Sequence, residues 1–265
     1  MCDLFHLKLL LAFGVGSFMV TLATVAAERL GSKIGGLIGG LPTMVSITLF
    51  FIGWVQTPRI ASEATNVIPL IMGFNGLFLV IYATLAKWRA STGMAGALLT
   101  WIVLSSLVVL LEVQSFVFSL SVFVFLLGVS YTILEKKLNL RSTRKLSIRY
   151  TPFQIASRAL FSGTMVASGV YLSKIGGPIW GGIIAPFPTV YLSTLIIMAN
   201  SKGLEYSRMI TKSLLVSGMV NVVVYTIAVR YFYLLFGLAL GTILALSMSA
   251  GSAYGTYVFM RERMT

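Results

Sequence analysis

The chain has 265 residues, of which 57% are hydrophobic and only 10% charged, with a mean hydropathy of +0.94. Soluble domains carry roughly 25% charged residues, so a chain this apolar is excluded as a compact soluble fold and its natural solvent is lipid. The net charge of +13 would suit a phosphate-rich partner, but the basic residues sit between apolar stretches, as they do in the cytoplasmic loops of membrane proteins. Nucleic acid is therefore not expected as a partner.

Stretches of about 20 mostly apolar residues, enough to cross the hydrocarbon core, occur nine times. They lie at roughly 7–28, 34–55, 65–86, 94–112, 115–134, 152–172, 175–199, 209–229 and 232–259. The first opens MCDLFHLKLLLAFGVGSFMV, with an acidic residue and no basic residue before Lys8, so it reads as a retained span rather than a cleaved signal. Connections are short except for EKKLNLRSTRKLSIRY at 135–150, a basic linker expected to lie against anionic lipid. It divides the chain into 1–134 and 151–265. Alternate connections carry fifteen Lys and Arg on one side and four (Lys8, Arg59, Lys174, Arg230) on the other. The positive-inside rule then places the N-terminus outside and the C-terminus and linker in the cytoplasm of a cell-membrane protein.

Two phrases repeat. SKIGGLI (32–38) returns as SKIGGPI (173–179), each opening a predicted span, with five crossings between the copies. An odd-numbered unit reverses its orientation when repeated, which is the inverted-repeat plan of many secondary transporters. Pro42-Thr43 answers Pro188-Thr189, and Asn75 answers Asn221, both at an offset of 146. The fold expected is all-α, a polytopic membrane protein of about nine helices built as an inverted repeat of five plus four.

That five-helix inverted plan resembles the drug/metabolite transporter superfamily, with its two five-helix halves. The stretch GGIIAPFPTVYLSTLIIMANSKGLEYSR (181–208) resembles the small GlpM-type membrane proteins associated with alginate production. Those carry a Gly-rich turn, a Pro-Leu-Phe-Pro-Thr-like phrase and an apolar run, and this chain has Ala185-Pro186-Phe187-Pro188-Thr189 there. The resemblance implies a fused, double-length version of such a protein and says little about a substrate.

Proline inside a helix removes a hydrogen bond and clashes with the preceding turn. In lipid such a break survives only inside protein or beside a water-filled cavity. Pro42 and Pro188 are thus expected to interrupt two helices whose free N–H groups, with the hydroxyls of Thr43 and Thr189, face a central site. A packing kink is the competing account, with Gly35/Gly39, Gly36/Gly40 and Gly177/Gly181 as close helix contacts. Asn75 and Asn221 either face that site or bond between helices, and Ser213 and Ser217 extend the Asn221 face. Arg158 is the one cation well inside a span, where it either snorkels to the headgroups or holds an anion at the cytoplasmic mouth. Trp101 and Trp180 lie within spans as core or interfacial anchors. No carboxylate falls near a span centre.

Enzyme chemistry has little to work with. His6 is the only histidine and Asp3 the only aspartate, and there is no G-x-S-x-G elbow. The lone Cys2 allows no disulfide within the chain and no cysteine cluster. No cofactor is expected. Two functions remain: a permease for a small anionic or neutral solute, or a non-transporting subunit or scaffold for export of envelope polymer or lipid. A channel would show a ring of charges or a carbonyl filter, and neither is legible.

Overall fold

The computed structural model describes residues 2–29, 41–138, 140 and 150–263, and every regular element among them is helical. Six helical stretches are long and apolar enough to cross a membrane: Leu4–Ala26, Pro58–Leu85, Ala90–Leu110, Phe116–Lys137, Pro178–Lys202 and Leu204–Met260. Large apolar side chains stay exposed on their outer faces, among them Leu99, Ile102, Val124, Phe125 and Ile243. Apolar surface left open in this way is what a lipid solvent covers, so the architecture is consistent with a membrane protein.

In chain order, α1 is Cys2–Arg29, α2 Thr43–Val55, α3 Pro58–Ala64, α4 Ile68–Leu85 and α5 Ala90–Leu110. Helix α6 is Phe116–Thr132 and runs on through a π turn, Ile133–Lys137. Then come α7 Pro152–Gly176, α8 Pro178–Ile184, α9 Thr189–Lys202 and a long stretch Leu204–Arg263. Local chemistry sets several of the boundaries. Thr57 and Ser115 accept from Ile60 N–H and Phe118 N–H at the starts of α3 and α6, and Thr151 with Gln154 forms a capping box at α7. Each satisfies an amide that the first helical turn leaves open.

The long stretch breaks at Gly237 (φ 73°, ψ −176°) into arms α10 (204–236) and α11 (238–263) that fold back on each other. Ser249 Oγ on the return arm donates to the Asn221 carbonyl at 2.9 Å, and Tyr233 meets Thr242 across the turn at 2.9 Å. The expected break near Arg230 is absent. Arg230 stays helical because it has partners: Nη1 donates to Asn66 Oδ1, and the guanidinium lies 4.6 Å from the Phe116 ring. The hairpin turns instead where a residue without a side chain can take a positive φ. Nothing lies within 4 Å of a Cβ added at Gly237, so Gly237→Ala would cost backbone strain alone, about 2 kcal/mol. Thermal unfolding in detergent should show that loss with the fold retained.

The second repeated phrase sits differently from expectation. Ser173–Gly176 closes α7 instead of opening the next helix, Gly177 turns the chain at φ 90°, and Pro178 begins α8. Glycine past a helix end and proline at a helix start are the residues those positions favour. Gly177 therefore does not share a continuous helical face with Gly181. The first phrase, with Gly35, Gly36, Gly39 and Lys33, lies outside the described residues, as does the linker apart from 135–138, 140 and 150.

Two helix pairs run antiparallel. The α1–α7 pair is tied by Ser17 Oγ donating to Ala159 O (2.9 Å) and by Phe5 stacked on Tyr171. The α4–α10 pair is tied by Tyr82 to Ser207 (2.7 Å) and by Arg208 Nε donating to Ala83 O (2.7 Å). Lys212, one of the fifteen basic residues counted on the cytoplasmic side, is buried inside α10, where it pairs with Glu135 of the π turn and lies 5.7 Å from the Tyr131 ring. A buried ammonium needs such a partner.

Candidate functional site at two proline-led helix starts

Both Pro-Thr phrases start a helix inside the protein, and they do so in the same way. Pro42 (φ −78°, ψ 51°) precedes α2 and Pro188 (φ −73°, ψ 35°) precedes α9. In each, the amide after the proline closes a three-residue turn, Thr43 N–H to Leu41 O at 2.8 Å and Thr189 N–H to Phe187 O at 2.7 Å. These are inverse γ-turns, in which the fixed proline φ holds the centre. The proline carbonyl then accepts the first helical bond, from Ser46 N–H and from Leu192 N–H, both at 2.8 Å.

The two starts open onto one cavity of about 130 Å³. Its wall comes from α1 (Val20, Ala23, Thr24), the α2 start (Leu41 to Val45), α4 (Met72, Asn75), the α9 start (Ala185 to Pro188, Val190, Tyr191) and α10 (Gly218, Val222). The wall is mainly apolar and, among the described residues, carries no Lys, Arg, Asp, Glu or His side chain. Phe187 is clamped edge-on between Trp101 (5.0 Å) and Phe161 (5.9 Å), which fixes that side of the cavity. Trp101 is buried, as a core anchor should be, whereas Trp180, Trp54 and Trp88 stay exposed.

Of the seven expected site residues, Pro42, Thr43, Asn75 and Pro188 line the cavity. Thr189 stands beside it but is buried, and its hydroxyl has no partner. Asn221 is elsewhere. Its Oδ1 accepts from Ser252 at 3.0 Å and Thr256 at 3.4 Å, so the side chain clasps α10 to α11. Ser217 donates to Ser213 O within its own helix and does not extend a polar face toward the cavity. Arg158 is also absent from the wall. It is buried near the start of α7, over the Tyr150 ring at 5.3 Å.

Asn75 has a defined orientation. Nδ2 donates to Pro186 O at 2.8 Å and contacts Met72 Sδ at 3.5 Å. A carbonyl can only accept, so the amide cannot be turned round. Its Oδ1 is then left buried with no donor.

Sequence reading missed Leu41, Phe187, Met44, Val190, Val45, Tyr191, Met72 and Gly218. A signal for them existed, because they fall into pairs at the same offset of 146: Leu41/Phe187, Met44/Val190, Val45/Tyr191 and Met72/Gly218. Apolar residues carry no chemical mark of a site, so only the register could have singled them out.

The arrangement can hold a small molecule among amides, one amide oxygen and apolar walls. Among the described residues there is no group of three His, Cys, Asp or Glu side chains placed to hold a metal ion. No curated protein and no solved structure matches the chain. Neither the GlpM-type likeness nor the transporter-superfamily likeness has a family match behind it. A family model described as "Protein of unknown function (DUF3147)" does match, over residues 157–261, so the part of the chain from α7 to α11, with the second of the two helix starts, is similar to that family.

Proposed function

We propose that the protein is a secondary carrier or permease for a small anionic or neutral solute, with its site in the cavity between the α2 and α9 starts. The observation that carries this is the matched pair of proline-broken helix starts, alike in dihedrals and hydrogen bonds and meeting at one cavity. Broken helices around a central site are the recurring construction of such carriers.

In this reading the chain is two inverted modules of five and four crossings, and the nine crossings are α1, 34–55, α3–α4, α5, α6, α7, α8–α9, α10 and α11. At offset 146, α7 corresponds to α1 and the middle of α10 to α4. Each of these packs antiparallel on its counterpart, as a twofold axis in the membrane plane requires. Helix α2 spans only about 20 Å by its 13 residues, less than the ~30 Å hydrocarbon core. The N-terminus lies outside and the basic 135–150 segment in the cytoplasm, against anionic lipid.

Purified protein in proteoliposomes should speed entry of at least one member of a labelled panel of small organic and inorganic anions and uncharged metabolites. Ala23→Phe, which fills the cavity from α1, should return entry to the protein-free rate. Asn221→Leu should cost about 1–2 kcal/mol of stability through the lost hairpin bonds and change transport far less. If no solute enters faster than through empty liposomes, and the protein co-purifies with a larger envelope-export complex, the scaffold reading replaces this one.

A further inference from the structure

The cavity has a polarity of its own, set by atoms that the fold leaves without partners. An α-helix begins with four amides that have no partner within the helix. In α2 the cap is Pro42, which has no N–H, Thr43 N–H is taken by Leu41 O, and Ser46 N–H begins the helical ladder on Pro42 O. In α9 the same two positions are served by Phe187 O and Pro188 O. The amides between them remain, on Met44 and Val45 and on Val190 and Tyr191, all four of them wall residues. No side chain caps either helix, because the residue at the cap is proline, which has no side-chain acceptor. Each helix start carries roughly half an elementary charge of positive field, so the two starts together present about one positive charge to the cavity, with no carboxylate on the wall among the described residues to neutralise it.

A second observation points to a ligand independently. Asn75, a wall residue, is 1% exposed, both its amide hydrogens face protein acceptors, and its buried Oδ1 has no donor. A fully deprotonated anion would set lone pairs against that oxygen. A purely neutral solute would leave the field of the two helix starts unused. One ligand class answers both features.

We propose that the site takes a small oxyanion that still carries a proton, such as hydrogenphosphate or bicarbonate. This rests on the carrier reading above and narrows its substrate. The anionic oxygens accept from the Met44, Val45, Val190 and Tyr191 amides, the mode of anion binding that helix N-termini provide. The ligand's own O–H donates to Asn75 Oδ1. No positively charged side chain is needed, which keeps the site shallow enough in energy for release on the far side of the membrane.

Calorimetry on the detergent-purified full chain at pH 7 tests this, with inorganic phosphate, bicarbonate, sulfate, glycerol and a short-chain phosphatidic acid as separate probes. At that pH phosphate and bicarbonate keep a proton and sulfate has none. The expected result is binding of phosphate or bicarbonate, with sulfate weaker by roughly tenfold to a hundredfold, the effect of facing an acceptor with no donor. In Asn75→Leu that preference should fall to near unity. The wild-type ratio alone remains decisive should this variant fail to fold.

Equal or tighter binding of sulfate overturns the requirement for a proton. Binding of glycerol and of none of the anions overturns the oxyanion assignment while leaving a carrier of neutral solutes intact. Binding of phosphatidic acid and not of free phosphate assigns the chemistry to a lipid headgroup and overturns the free-ion reading. No binding by any probe overturns the proposal, whereas the carrier reading fails separately, on the liposome panel.

Discussion

Glu135→Gln should destabilise the protein by about 3 kcal/mol, more than any other single change to a charged residue here. The reason lies in its partner. The Lys212 side chain is 4% exposed, and Glu135 is the carboxylate it pairs with. Removing one member of a buried pair leaves an ammonium in a medium that cannot solvate it, at a cost of roughly 3–5 kcal/mol. Glu135 itself is 42% exposed, so water reaches one side of the pair and the lower end of that range applies. Lys212→Met with Glu135→Gln removes both charges, and this double variant should recover most of the loss. Unfolding in a denaturing detergent gives the double-mutant cycle. The account fails if Glu135→Gln is neutral, or if the double variant is as unstable as the two single losses added together.

Gly182→Ala should be the most damaging one-carbon change. A Cβ at Gly182 would lie 2.2 Å from the Ala64 carbonyl oxygen and 2.6 Å from Val67 Cγ2. The first neighbour is backbone and cannot rotate aside, so α8 must move away from the connection between α3 and α4. Overpacking of this kind costs about 3 kcal/mol or somewhat more. The displacement also reaches function, because α8 leads directly into Ala185 and Pro186 on the cavity wall. Gly128→Ala in α6 is the control. Nothing lies within 4 Å of its added Cβ, and alanine is the better helix former by about 1 kcal/mol. The first variant should lose thermal stability and solute binding together, and the control should lose neither.

Asn75 and Asn221 show the limit of what a shared offset between two phrases can tell. Their common offset is plain in the sequence, and equal roles are a reasonable expectation. The roles diverge because the next helix differs. Asn221 meets Ser249, Ser252 and Thr256 on α11. The residues at the matching offset on α5 are Val103, Ser106 and Leu110. Two of these three lack a hydroxyl, and Ser106 donates to its own helix at Ile102 O. Asn75 is thereby left to bond across the cavity to Pro186 O. Lys212 diverges from expectation for a similar reason. Its charge looked like a loop residue because its pairing with Glu135, 77 positions earlier in the chain, has no local trace.

Composition pointed to lipid as solvent, since so few charges coat a soluble surface poorly, and apolar runs of about 20 residues pointed to helices, which satisfy their own backbone; the described residues are helical and consistent with a membrane protein. Local covalent chemistry decided the two helix starts, because proline lacks an N–H and fixes its own φ wherever it stands. Tertiary structure decided the rest: that both starts open on one cavity, that Asn75 turns toward it, and that Asn221 and Arg158 do not. Those outcomes depend on which side chains arrive from helices distant in sequence, and a hydrogen bond forms only with the donor or acceptor that packing brings within reach.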